Sequence, residues 1–211
     1  MNTLRHQRGM SMIEVAVTMA ILGVLLATAM PSVGTWIRNT RVRNAAESVQ
    51  SGLQRTRAEA LRRNVNVTFW LVSGADERVV DNSCVKSSSS GSWVISVNDP
   101  TGKCATASSS TVDPMVLEAH AAGDGGSGVT VAATSAAATA AQCVRFNGFG
   151  QVVPATVPPD DNCHAPSQIA QINFTHVSGG TRNLRIVVSG NGGIRMCDIN
   201  VASPDPRACP T

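Results

Sequence analysis

A chain of 211 residues, 15% charged and with a net charge of +3, has room for one good-sized domain plus an anchor. Aromatic residues make up 3% and tyrosine is absent, which argues against a nucleic-acid surface built on stacked rings. The charge is uneven: +2 over residues 1–9, −1 at Glu14, +5 over 38–63, −5 over 64–180 and +2 over 181–211, so the ends are basic and the middle acidic.

The chain opens on a short basic head with Arg5 and Arg8, then Gly9, then an apolar run that holds one acid, Glu14. A carboxylate inside a membrane-length apolar helix costs roughly 2.5–3.5 kcal/mol at mid-helix, less near an end, so Glu14 calls for a partner. A secretory signal cut at Ala27-Thr28-Ala29 gives Glu14 no role. A plain anchor from Val15 to Met30 rises only about 24 Å, short of a hydrocarbon core of about 30 Å.

The stretch Gly9-Met10-Ser11-Met12-Ile13-Glu14 followed by an apolar helix resembles the type IV prepilin signature. That resemblance implies that a prepilin peptidase cuts between Gly9 and Met10, that residues 1–9 leave as a leader, and that Met10 becomes an N-methylated amine. It also implies that Glu14 pairs with such an amine, on its own or a neighbouring subunit, as the helix enters a filament. Residues 10–31 are then the transmembrane and filament-core helix, in the bacterial inner membrane before assembly.

Pro31 interrupts the apolar run, and a bend rather than an end is expected there. Beyond it Val42, Ala46, Val49, Leu53 and Ala60 line one stripe at steps of four, three, four and seven, and Glu59 precedes Arg63 by four. Residues 32–63 thus read as an amphipathic continuation of the same helix. Val65, Val67, Phe69 and Leu71 alternate with Asn66, Thr68, Trp70 and Val72, the pattern of a half-buried strand. Further strands are expected at 92–97, 115–119, 129–133, 143–147, 169–174, 184–189 and 194–199. Exposed loops are expected at 86–91, 123–128, 132–141 and 157–162. One long helix followed by many short strands predicts an α+β fold: a helix packed on an antiparallel sheet, with residues 64–211 as a β-rich periplasmic domain.

Cys84, Cys104, Cys143, Cys163, Cys197 and Cys209 all follow the anchor, and none forms a CxxC pair. An even count behind an export segment favours disulfides over a metal or redox site. Six cysteines allow fifteen connectivities. The expectation is nearest-neighbour pairing, 84 with 104, 143 with 163 and 197 with 209, each closing a polar loop. His6, His120, His164 and His176 are scattered, no HExxH, GxSxG or P-loop pattern occurs, and Cys163-His164 lacks ligand spacing. No enzyme, metal or cofactor is expected.

The segment Leu53–Val67, the stretch Val144-Arg145-Phe146-Asn147-Gly148-Phe149-Gly150, and the end with Arg195-Met196-Cys197 and Asp205-Pro206-Arg207-Ala208-Cys209 resemble the FimT/GspH group of minor pilins and pseudopilins. The resemblance implies a FimT-like minor pilin that assembles into or primes a type IV pilus, reaching the cell surface, with DNA uptake as an associated role. Its alternative is a GspH-like pseudopilin of type II secretion. An exported domain freed at Ala29 is the third possibility. The implied partners are other pilins, the prepilin peptidase and the inner membrane, with double-stranded DNA as a further candidate held by sequence-independent phosphate contacts. FimT-like chains carry Gly-Arg-x-Arg before a C-terminal cysteine. Here Gly192-Gly193-Ile194-Arg195 retains only the second arginine. The candidate DNA-binding residues are Arg182 and Arg185, on a glycine-rich turn, with Arg195 and Arg207. Solvated turn charges are the competing account of the same four side chains. The arginines of the helix are expected to face acidic neighbours.

Overall fold

A computed structural model describes residues 10–123, 126–153, 163 and 168–210, with the backbone alone at 28–31. The loop expected at 157–162 and His164 lie outside the described residues, as do the leader with Gly9 and part of the 123–128 loop. The chain divides into two compact units between Ile37 and Arg38. Helix α1 (Met12–Arg63) runs through Pro31 without ending there.

In the second unit, α1 buries the expected stripe completely: Val42, Ala46, Val49, Leu53 and Ala60 have no exposed surface. The step of seven between Leu53 and Ala60 is filled by Thr56, equally buried. Its hydroxyl donates to the Gly52 carbonyl at 2.7 Å, which removes the cost of burying a polar group on an apolar face. At Gly52 helix and sheet come close: a Cβ there would lie 2.9 Å from both the Phe69 and Trp93 rings.

The strands form two antiparallel sheets rather than one. The first is built around β1 (Val67–Ser73), which pairs along one edge with β3 (Ser92–Ser96) and along the other with β6 (Cys143–Phe146) and the two-residue β2 (Val85–Lys86); β4 (Val116–His120) continues from β3. The second runs β5 (Val129–Thr134), β7 (Gln171–His176), β8 (Leu184–Val188), β9 (Ile194–Asp198). The Ile169 amide donates to the Cys143 carbonyl at 2.8 Å and ties the end of β6 to the approach to β7.

β1 corrects the half-buried expectation, because both its faces are covered. Val67, Phe69 and Leu71 join the core under α1, while Trp70 and Val72 belong to a second cluster with Val94, Val116, Cys84, Cys104, Cys143 and Cys163. Cys84 bonds Cys104, Cys143 bonds Cys163, and Cys197 bonds Cys209. The first two disulfides therefore roof the outer face of the first sheet as well as closing loops. With few aromatic residues to spend, the chain covers that face with sulfur, which packs as a small apolar group.

Two stretches expected to be exposed are also drawn in. The serine tract lies against β5, where the Ala133 amide donates to the Ser88 carbonyl at 2.8 Å. Ala133, Ser135 and Ala141 in the 132–141 tract are buried.

Candidate functional site

Two regions carry residues singled out by sequence, and they lie in different units. In the first, Glu14 sits in the first turn of α1, where a carboxylate is favoured by the amide dipoles of the helix start. Met10, Met12, Ile13, Val17, Met19, Leu22, Val24 and Leu25 are all exposed along the same stretch. An 18-residue window of α1 reaches a mean hydropathy of 2.2, and by length and composition the helix is able to cross a membrane. So much contiguous apolar surface is far more than a soluble monomer leaves in water, so lipid or other protein must cover it.

In the second unit, β8, β9 and the C-terminal loop bring the four candidate arginines together. Strand alternation puts Ile186 and Val188 into the core and Arg185 onto the outer face. Cross-strand register pairs Arg185 with Cys197 and Val187 with Arg195, so Arg185 and Arg195 share that face on a diagonal, about 7–8 Å apart at Cα. These two positions are within strands, not on flexible tips. Arg185 Nε donates to the Asn173 side-chain carbonyl at 2.7 Å. Arg195 Nη2 donates to the Pro206 carbonyl at 2.9 Å, which holds the C-terminal loop against β9.

The other two are held by acids. Arg182 Nε and Nη2 lie 3.0 and 2.8 Å from the Asp198 carboxylate, which is buried. Arg207 donates from Nε and Nη2 to the two oxygens of Asp205 at 3.0 and 2.7 Å. Hydrogen bonding from the Arg207 guanidinium holds the Asp205 carboxyl down at about 2, with its field and that of Arg182 adding to the effect. A depressed carboxyl pKa means that the pair is intact above the ordinary value of about 3.9 and is lost only as pH falls through about 2. Arg207 is therefore occupied across the physiological range, and the positive field of this region falls to Arg185 and Arg195. The Asp205 partner is legible in sequence as an acid two residues before Arg207; the Asp198 partner is not, because β9 brings it to Arg182 across sixteen residues.

Gly192, first residue of the degenerate motif, adopts φ +80° in the turn between β8 and β9. A Cβ on it would run into the Gly150 carbonyl oxygen. That carbonyl accepts a hydrogen bond from Arg57 Nε of α1 at 2.9 Å. Helix, β6 turn and β8–β9 turn thus meet at one point, and neither Arg57 nor Gly150 stood out as a site residue. At Gly193 the nearest obstacle to a Cβ is the Asn191 side-chain oxygen at 3.2 Å, so the missing arginine is not excluded by space. Among the described residues no group of three or more His, Cys, Asp or Glu side chains is arranged to hold a metal.

The prokaryotic N-terminal methylation motif matches residues 4–30, and the family described as type II transport protein GspH matches residues 45–193. Among solved structures, the type IV minor pilin FimU of Pseudomonas aeruginosa strain PAO1 is similar in two crystal forms. One is 17% identical, with TM-score 0.46, covering 77% of this chain and 92% of that one; the other is 19% identical, with TM-score 0.41, covering 77% and 97%. No curated protein matches the chain. Taken over residues 45–193, well over half of its length, the chain belongs to the GspH family, a pilin-like family, and carries its N-terminal methylation motif ahead of it.

Proposed function

We propose that the protein is a FimT-like minor pilin. Residues 1–9 are removed by prepilin peptidase between Gly9 and Met10. Residues 10–31 anchor the chain in the inner membrane and then enter a type IV pilus. Residues 32–63 carry that helix into the domain formed by 64–211. The observation that carries this is the exposed apolar helix with a single acid in its first turn, four residues from Met10. Its role is assembly, with no catalytic step.

Intact mass and fragmentation of the chain purified from membranes are expected to give an N-methylated Met10 start. A start at Met30 would overturn the filament role and favour an exported domain.

Arg185 and Arg195 form the proposed DNA contact, phosphate-directed and therefore independent of base sequence and steeply weakened by salt. Arg195→Gln is expected to lower duplex affinity by about threefold at 50 mM salt and to flatten the salt slope by about one unit. Asp205→Asn should act in the opposite direction, raising affinity about threefold by releasing Arg207 and lightening the load on Arg182. Gel-shift titration of the detergent-solubilised full chain at 50 and 200 mM salt checks both. Affinity unchanged in both variants removes this face from the DNA role.

A type II secretion pseudopilin is the second reading, favoured by Gly193 in the place of the family arginine and by the two ion pairs that neutralise Arg182 and Arg207. Gene deletion scored in parallel for transformation, pilus-dependent motility and protein secretion separates the two.

A further inference from the structure

The four strands of the second sheet alternate between core and outer face, and the outer positions are mostly polar. Thr130 and Thr134 of β5 and Gln171, Asn173 and Thr175 of β7 stand opposite the buried Val131, Ala133, Ile172 and Phe174. Register continues this face to the arginines. Ala132, Asn173, Arg185 and Cys197 form one cross-strand row, and Thr134, Gln171, Val187 and Arg195 form the next. Each row therefore passes from neutral side chains on β5 and β7 to an arginine on β8 or β9.

No carboxylate occupies an outer position of these strands. The one acid within them, Asp198, is buried and paired with Arg182. The segment that carries most of the first sheet is the opposite: residues 64–123 hold six acids, including Asp76, Glu77 and Glu118, against Arg78, Lys86 and Lys103. A polyanion approaching the domain is thus repelled from one half and admitted to the other. Among the described residues, the side chains of Thr130, Thr134, Gln171 and Thr175 have no hydrogen-bond partner. Asn173 gives its carbonyl to Arg185 and keeps both amide hydrogens to donate.

We propose that a DNA duplex lies on this face with one groove running along the strands. The phosphates of one strand meet Arg185 and Arg195, and those of the other meet Thr130, Gln171, Asn173 and Thr175. Uncharged Thr, Asn and Gln side chains are ordinary phosphate ligands beside arginine. Three strand spacings separate β5 from β9, about 14 Å, close to the roughly 12 Å width of a major groove. No outer position of the sheet is aromatic, so a single strand finds nothing to stack on. This contact rests on the DNA role proposed for Arg185 and Arg195, and widens it by two strands that carry no charge.

The test titrates the detergent-solubilised full chain against a labelled duplex of arbitrary sequence and against one of its single strands, at 50 and 200 mM salt. Gln171→Arg is expected to raise duplex affinity about threefold at 50 mM and to steepen the salt slope by about one unit; Gln171→Glu should lower affinity about threefold. Ser110→Arg adds the same charge to an exposed position in the acidic half and should leave binding unchanged. The parent should prefer the duplex to the single strand. Equal gains from Gln171→Arg and Ser110→Arg, no response at position 171, or a preference for the single strand overturns the contact. Loss of affinity in Arg195→Gln with position 171 silent removes this wider track alone, while a parent chain that binds no duplex removes the DNA role with it.

Discussion

Glu14→Ala is expected to leave membrane insertion intact while lowering incorporation into filaments by roughly a hundredfold. Removing a carboxylate from an apolar segment favours insertion by up to about 2.5–3.5 kcal/mol, so the precursor should accumulate in the membrane at the normal level. In the filament the balance reverses. The Met10 amine, four residues earlier, would be buried without a counter-charge, and breaking a buried pair from one side costs about 3–5 kcal/mol. At 1.4 kcal/mol per tenfold, even 3 kcal/mol exceeds a hundredfold in an assembly equilibrium. Glu14→Asp, one methylene shorter, should fall between the two. The measurement is the ratio of chain in sheared filaments to chain in the membrane fraction. Incorporation at the parental ratio in Glu14→Ala would end the pairing role, whatever happens to insertion.

Gly192→Ala is expected to destabilise the domain by about 3 kcal/mol, combining a φ that side chains rarely adopt with a collision against the Gly150 carbonyl. Relief would require the β8–β9 turn to back away from the β6 turn. That movement would disturb the Arg57 hydrogen bond to the same carbonyl and the Val152 amide bond to the Gly190 carbonyl, 3.0 Å long. For a chain of this size the midpoint of thermal unfolding should drop by about 6–12 °C, read by circular dichroism at a β-sheet wavelength. Gly190→Ala is the control two residues away: nothing lies within 4 Å of its Cβ position, so its midpoint should hold or rise slightly. Equal losses in both variants would show that the turn is generally intolerant and that the Gly150 contact is not the cause.

Gly192 also explains part of the degenerate motif. The glycine is required by backbone packing between two turns, whereas position 193 has room for the absent arginine. The motif therefore joins a structural glycine to arginine positions; Gly192 and Arg195 are kept here, and Gly193 stands where space would admit the other arginine.

Much of the fold was readable along the chain because its causes are local. The stripe from Val42 to Ala60 repeats at helical spacing, and every member is buried. Among the described residues, seven of the nine strands after α1 follow hydrophobic stretches whose position, though not their last residue, is evident, and β1 announces itself by alternation. β2 was missed because two residues carry no period. The coverage of both faces of β1 was missed because Trp70 and Val72 look like the outward residues of a half-buried strand until the disulfides of Cys84 and Cys143 are placed above them. At the candidate site, the arginines were visible by residue type, but their availability was not. Arg182 and Arg207 are as basic in sequence as Arg185 and Arg195; the acid beside Arg207 stands two residues before it, whereas Asp198 reaches Arg182 only through the fold.

By itself the sequence determined that this protein has an apolar helix with one acid near its start, an amphipathic continuation and a strand-rich, disulfide-bonded remainder. Each of these follows from residues close together in the chain, where spacing alone decides which face is apolar and where charge is expensive. Only the tertiary structure decided that Asp198 neutralises Arg182, why Gly192 must be glycine, and that a rigid turn turns Phe149 outward. Those properties depend on groups that are distant in sequence and meet across sheets and turns. The energy of a charge or a Cβ is set by what stands within a few ångströms of it.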